Sequence, residues 1–164
     1  MNSVIRCHLP PHALLDNYAQ TPENYTDCYC TIVPGQITIE RYITAFYNSI
    51  GFLPERFILG WVLGKHANAQ TVRKLASDQA DEFSAWKVEA RSSDQLLLAD
   101  TSGATRSWLM VEPLDSKTKL YFGSAVVHRS SIRKNPRTFS FSALLLFHKA
   151  YSRLLLAAAT AELN

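Results

Sequence analysis

Few residue groups in this chain have the types and spacing that chemistry needs. Cys7, His8 and His12 lie close together, and thiolate and imidazole both bind zinc. Pro10 and Pro11 fall between the two histidines and break the helical face that their spacing would otherwise create. No C-x-x-C, H-E-x-x-H or carboxylate cluster completes a site, so no metal is expected. Asp27, Glu112 and His128 fall on predicted strands, where a carboxylate or imidazole facing a cavity could move protons. Solvent-facing positions are the commoner outcome for such residues. Asp78, Asp81 and Glu82 form an acidic group that reads as an ordinary polar connection. Cys28 and Cys30 are two apart on one strand face and read as inert buried thiols. There is no G-x-S-x-G, and Gly123-Ser124 lies inside a strand, where glycine marks a bulge or a close backbone approach. No G-x-G-x-x-G or Walker-type loop is present, so neither a nucleotide nor another cofactor is expected.

Aromatic residues carry more. Tyr29, Trp61, Trp86, Trp108, Tyr121 and Phe122 fall on elements that would surround a space between a sheet and a helix. Ligand pockets are mostly apolar with a few placed polar groups. Arg106 shares a strand face with Trp108 and is the candidate polar anchor. The plainer alternative is that the aromatics are core and Arg106 points to water.

These residues need elements to position them. Residues 1 to 24 are weakly patterned and interrupted by Pro10, Pro11 and Pro22, and read as an arm lying on the domain. Residues 25 to 33 are rich in strand formers, and Pro34-Gly35 ends them. Tyr25, Asp27, Tyr29 and Thr31 share one face, and Thr26, Cys28, Cys30 and Ile32 the other. Ile39, Tyr42, Ile43, Phe46, Tyr47 and Ile50 recur at spacings of three and four, which predicts an amphipathic helix capped by Thr38 and ended by Gly51. Pro54 to Gly64 predicts a second helix, buried through Phe57, Ile58, Trp61 and Val62. Asn68 can cap a third, buried through Ala69, Val72, Leu75 and Ala76.

From residue 84 the period changes to two. Trp86, Val88 and Ala90 alternate with Lys87, Glu89 and Arg91. Short turns separate this strand from three more, at 95–100, 105–112 and 120–127, which makes an antiparallel meander. The last helix runs from about Ser140 to Leu163, roughly 36 Å at 1.5 Å per residue. It is apolar around most of its girth and must be covered on more than one side, by the sheet and by the short helices, the arm or a second subunit.

The chain has 164 residues, 47% hydrophobic and 19% charged, which fits one globular domain spanning 1–164: an arm at 1–24 and a core at 25–163. Its net charge is +3, and Arg129, Arg133, Lys134 and Arg137 cluster without an acid. No basic helix or Arg-Gly-aromatic motif accompanies them, so a solvated loop is expected and nucleic acid is not. The last helix carries Lys149 and Arg153 at its middle, so no membrane span is expected. Three cysteines and an N-terminus without a signal-like apolar core point to the cytoplasm.

The order is one strand, two or three short helices, an antiparallel meander and one long C-terminal helix. It resembles the helix-grip architecture of the START-like superfamily, which includes lipid-transfer domains and polyketide cyclases. In words, YTDCYCTIVPG, TRSWLMVEP and LYFGSAV look like an uncharacterised bacterial family, a domain of unknown function that brings no activity and no catalytic residue. The superfamily resemblance implies an α+β fold in which the sheet wraps the last helix around a cavity. A full grip then requires split meander strands or a further strand drawn from the arm.

Three functions follow as expectations. The leading one is a binding module holding a small apolar or aromatic molecule between the sheet and the last helix, lined by Tyr29, Trp61, Trp86, Arg106, Trp108, Tyr121 and Phe122. The second is a cyclase- or aromatase-like enzyme using Asp27, Arg106 or His128. The third is an interaction module that forms a homodimer through the last helix.

Overall fold

A computed structural model describes residues 3–50, 69–83, 86–128 and 141–163, with the backbone alone at 50, 83 and 141–151. Among the described residues seven strands form one antiparallel sheet: β1 Ile5–Arg6, β2 Tyr25–Pro34, β3 Glu82–Phe83, β4 Trp86–Arg91, β5 Gln95–Asp100, β6 Thr105–Pro113 and β7 Lys117–Val126. Their order is β1-β2-β7-β6-β5-β4-β3. The described helices are α1 Asp16–Ala19, α2 Ile39–Ile50, α3 Ala69–Ala76 and α4 Phe141–Leu163. The fold is α+β, with the C-terminal helix packed on an antiparallel sheet. The helix expected at Pro54–Gly64, the Asn68 and Ser140 caps and the basic stretch Arg129–Arg137 lie outside the described residues.

Strands β4 to β7 are the meander that the period-two pattern predicts, joined by short turns. β2 pairs with β7 along its whole length, from Tyr25 opposite Val126 to Pro34 opposite Lys117. The arm contributes β1, which extends the sheet beyond β2. α2 begins at its predicted cap, where the Arg41 amide donates to Thr38 Oγ1 at 3.3 Å.

Alternation gives the sheet two apolar faces. On one, the helix face, Tyr29, Val33, Trp86, Leu96, Leu98, Leu109, Leu120 and Phe122 are buried against Tyr42, Ile43 and Phe46 of α2 and Leu155, Leu156 and Ala159 of α4. α3 adds Val72 and Leu75 to this layer. On the other, the arm face, Cys28, Cys30, Leu97, Trp108, Met110, Tyr121 and Ala125 are buried under Ala13 and Leu15, with Cys7, Leu9, Leu14 and Tyr18 packed around them. Gly123 makes this second layer possible. A side chain there would begin 2.8 Å from both Leu15 Cδ2 and the Trp108 ring, so the glycine is a place of close approach.

One strand departs from its expected pattern. Trp86 and Val88 face the helices as predicted, but Ala90 packs into the arm-face core instead of sharing their side. The register explains it. Val88 pairs with Leu98 and Ala90 with Leu97, leaving Glu89 as the extra residue of a β-bulge. A bulge shifts the side-chain alternation by one, so Glu89 and Ala90 both address the arm face.

Candidate functional site

The bulge aims Glu89 at two partners. Tyr18 Oη donates to Glu89 Oε1 at 2.5 Å, and Arg106 Nε lies 2.7 Å from Glu89 Oε2. Arg106 Nε also donates to Tyr18 Oη at 2.8 Å, and its guanidinium lies 4.7 Å from the Tyr18 ring centroid. Another guanidinium nitrogen, Nη1, donates to the Gly103 and Thr105 carbonyls. Arg106 is therefore occupied by the protein itself. It fixes Glu89 and Tyr18 rather than standing free for a ligand. Burial, and then the bond to Glu89, raise the Tyr18 phenol above its ordinary value, so it stays protonated and keeps donating.

A second cluster, with lysine in place of arginine, lies further along this face. Tyr121 Oη donates to Glu112 Oε2 at 2.5 Å, with Lys119 Nζ 4.8 Å from the Tyr121 ring centroid. Burial and the bond to Glu112 push the Tyr121 phenol up to about 12.

Between the clusters the arm is held by one buried amide. Gln95 Oε1 accepts from the Leu14 backbone N–H and from Trp108 Nε1, both at 2.9 Å, and Gln95 Nε2 donates to the His12 carbonyl at 3.2 Å. His12 is held at φ 63, a left-handed conformation that residues other than glycine rarely adopt. The arm thus turns sharply at the point where Gln95 grips it.

This turn leaves an open cleft of about 590 Å³ between the arm and β4–β5. Ala13, Leu14, Ala90 and Leu97 give it an apolar lining. His12, Asp16, Asn17, Tyr18 and Glu89 supply its polar groups. The volume is that of a small-molecule site, roughly 300–1,000 Å³. A second cleft of about 550 Å³ lies outside the helical layer, between α2, α3 and the end of α4, with the charged Glu40, Arg41, Arg73 and Glu162 on it.

The aromatic set expected to line one pocket is divided by the sheet. Tyr29, Trp86 and Phe122 belong to the helix-face core, whereas Arg106, Trp108 and Tyr121 lie on the arm face. Trp61 lies outside the described residues. None of the six described members lines either cleft, and Arg106 alone of them touches cleft residues through polar bonds, to Tyr18 and Glu89. The reason is strand parity. Across the register Cys28, Gly123, Trp108 and Leu97 share one side, and one residue further along each strand points to the other.

The acid–base candidates are likewise apart. Asp27 is buried on the helix side, where Ser124 Oγ donates to its Oδ1 at 2.5 Å and Ser152 Oγ lies 3.4 Å from its Oδ2. Arg106 is on the arm face, and His128 is exposed beyond β7, its amide bonded to Asn24 Oδ1. Glu112 belongs to the Tyr121 cluster. Asp78 and Glu82 pair with Arg91 and Lys87. Among the described residues no group of three His, Cys, Asp or Glu is placed to hold a metal ion.

Sequence reasoning passes over Tyr18, Glu89 and Gln95. The only signal for Gln95 is a lone amide opening an otherwise apolar strand, QLLLAD. No family model, curated protein or solved structure matches the chain.

Proposed function

We propose that this protein is a binding module for a small apolar or aromatic molecule, held in the cleft between the arm and strands β4–β5. The observation that carries this reading is the cleft itself, with its apolar lining of Leu14, Ala90 and Leu97 beside fixed polar groups from His12, Asn17, Tyr18 and Glu89. An aromatic body laid on that lining would gain about 25 cal/mol per Å² of apolar surface removed from water. Asp16 makes a neutral or cationic ligand a better fit than an anion, the charge of Glu89 being already matched by Arg106. The sheet–helix space is a weaker candidate in its described part, because Tyr42, Phe46, Leu120, Phe122 and Leu156 fill it. The helix-grip reading of the fold is supported by α4 on the antiparallel sheet and by the strand drawn from the arm. The three free thiols fit a reducing compartment such as the cytoplasm. Among the described residues no helix is long and apolar enough to cross a membrane.

The test uses N-phenyl-1-naphthylamine, a neutral aromatic fluorophore, as probe. The wild-type chain is expected to bind it at one saturable site. Ala90→Trp fills the cleft and is expected to weaken binding at least about tenfold at a temperature where circular dichroism shows the variant folded. Equal binding by both proteins, or no saturable binding by the wild type, would count against the reading.

One observation favours a second reading, the homodimer. Leu154 is 49% exposed on α4, on a strip shared with the exposed Ala157 and Ala161. A native mass of twice the monomer that Leu154→Glu returns to one chain would support it.

A further inference from the structure

Cys7 stands directly across the β1–β2 ladder from Cys28. The register Ile5–Cys30, Arg6–Tyr29 continues to this pair, and the Cys7 amide donates to the Cys28 carbonyl at 3.0 Å. The two sulfurs are 3.4 Å apart, and all three cysteines are free. Opposed residues in a hydrogen-bonded antiparallel pair have Cα atoms about 5.5 Å apart, which is the separation that disulfides favour. Cys30 is opposed by Ile5 and its thiol also lies near that of Cys7, but only Cys28 combines the opposed backbone with the 3.4 Å sulfur contact. Cys7 is half-buried and reachable, whereas Cys28 is buried.

We propose that Cys7 and Cys28 form a dithiol modification site, oxidised by a low-molecular-weight disulfide to a bond that clamps the arm to β2. The Cys7 thiolate attacks one sulfur of the small disulfide, and the departing thiolate takes up the proton that Cys7 gave. Cys28 then attacks the Cys7 sulfur of this mixed disulfide and expels the second small thiol, which takes up the Cys28 proton. Two cysteine thiols and one small disulfide become one protein disulfide and two small thiols. The bond to Cys28, and then burial, hold the Cys7 thiol protonated, so little thiolate is present at neutral pH and the exchange is slow there and quickens as pH rises.

The closed loop has a consequence for the arm. Residues 8–27 lie between the two cysteines, and His12, Ala13, Leu14, Asp16, Asn17 and Tyr18 of the cleft are among them. Cross-linking this segment restricts the detached states of the arm. The site stands on the thiol geometry and does not depend on the cleft being occupied.

The experiment is incubation of the native chain with oxidised glutathione, followed by intact mass and peptide mapping. The expected product is two hydrogens lighter, with Cys7 joined to Cys28 and Cys30 still alkylatable. Amide exchange over residues 8–27 is expected to slow by roughly tenfold or more on oxidation. Cys30→Ser should form the same bond, and Cys7→Ser should form none. Three alkylatable thiols after incubation, a mixed disulfide persisting on Cys7, or a bond that includes Cys30 would each overturn the proposal.

Discussion

The helix face of the sheet is covered by the amphipathic α2 and α3 and the long, largely apolar α4, and the arm face by an irregular strap. Tyr42, Phe46 and Leu156 interlock with Leu120, Phe122 and Leu109 on the first face, in one continuous hydrocarbon layer. On the second, Ala13 and Leu15 cover Trp108 and Leu97, but the strap is tied at separate points. Those points are the Gln95 amide, the Tyr18–Glu89–Arg106 cluster and the β1 pairing. The first arrangement distributes stability over many dispersion contacts. The second concentrates it in a few polar bonds, each of which can open a local segment. A cleft with fixed polar groups beside an apolar lining belongs to the second kind of cover.

Substitutions on the two faces should separate these behaviours. The largest effect is expected on the helix face. Phe46 is 1% exposed and stacks near Phe122 and Tyr47, so Phe46→Ala should cost about 3–5 kcal/mol of global stability in urea unfolding. A much smaller loss would mean that the helical layer is not the main source of stability. Gln95→Ala strikes the arm face. It leaves the Leu14 N–H and the buried Trp108 indole N–H without their acceptor and should cost about 1–3 kcal/mol. Its distinguishing mark is local: amide exchange should quicken across the arm far more than in α2. Uniform acceleration over both layers would erase the distinction between them.

A smaller effect is expected from alkali. The Cys30 thiol is raised from 9.0 to about 11, chiefly by burial, and the Tyr121 phenol from 10.0 to about 12, by burial and Glu112. Both groups hold their protons more tightly folded than unfolded. Their contribution is therefore complete below about pH 9 and is lost as pH rises through about 11 to 12. Tyr121→Phe should flatten the fall of melting temperature above about pH 10. An unchanged slope would show that Tyr121 does not couple folding to alkali.

Much of the helix-face architecture can be read from the chain. The three-and-four spacing of Tyr42, Ile43, Phe46 and Tyr47 gives α2 and its buried side, and alternation in β6 separates Trp108 from Leu109 and Val111. The site is harder to read. Strand parity assigns a residue to one of two sides, but only the register between strands says which sides coincide, so an aromatic set that reads as one pocket is divided between two faces. The bulge at Glu89 depends on partners far away in sequence, Tyr18 and Arg106, that no local pattern announces. The arm has no period at all, because Pro10, Pro11 and the left-handed His12 give it an irregular path that only Gln95 and the sheet surface define.

The most direct test of the ligand cleft is amide hydrogen exchange of the wild-type chain with and without N-phenyl-1-naphthylamine. Binding under the arm predicts slowed exchange in residues 12–18 and along 86–97, with α2 and α4 unchanged. Protection confined to α2 and α4, with the arm and β4–β5 exchanging as before, would contradict it and return the ligand to the space between sheet and helices.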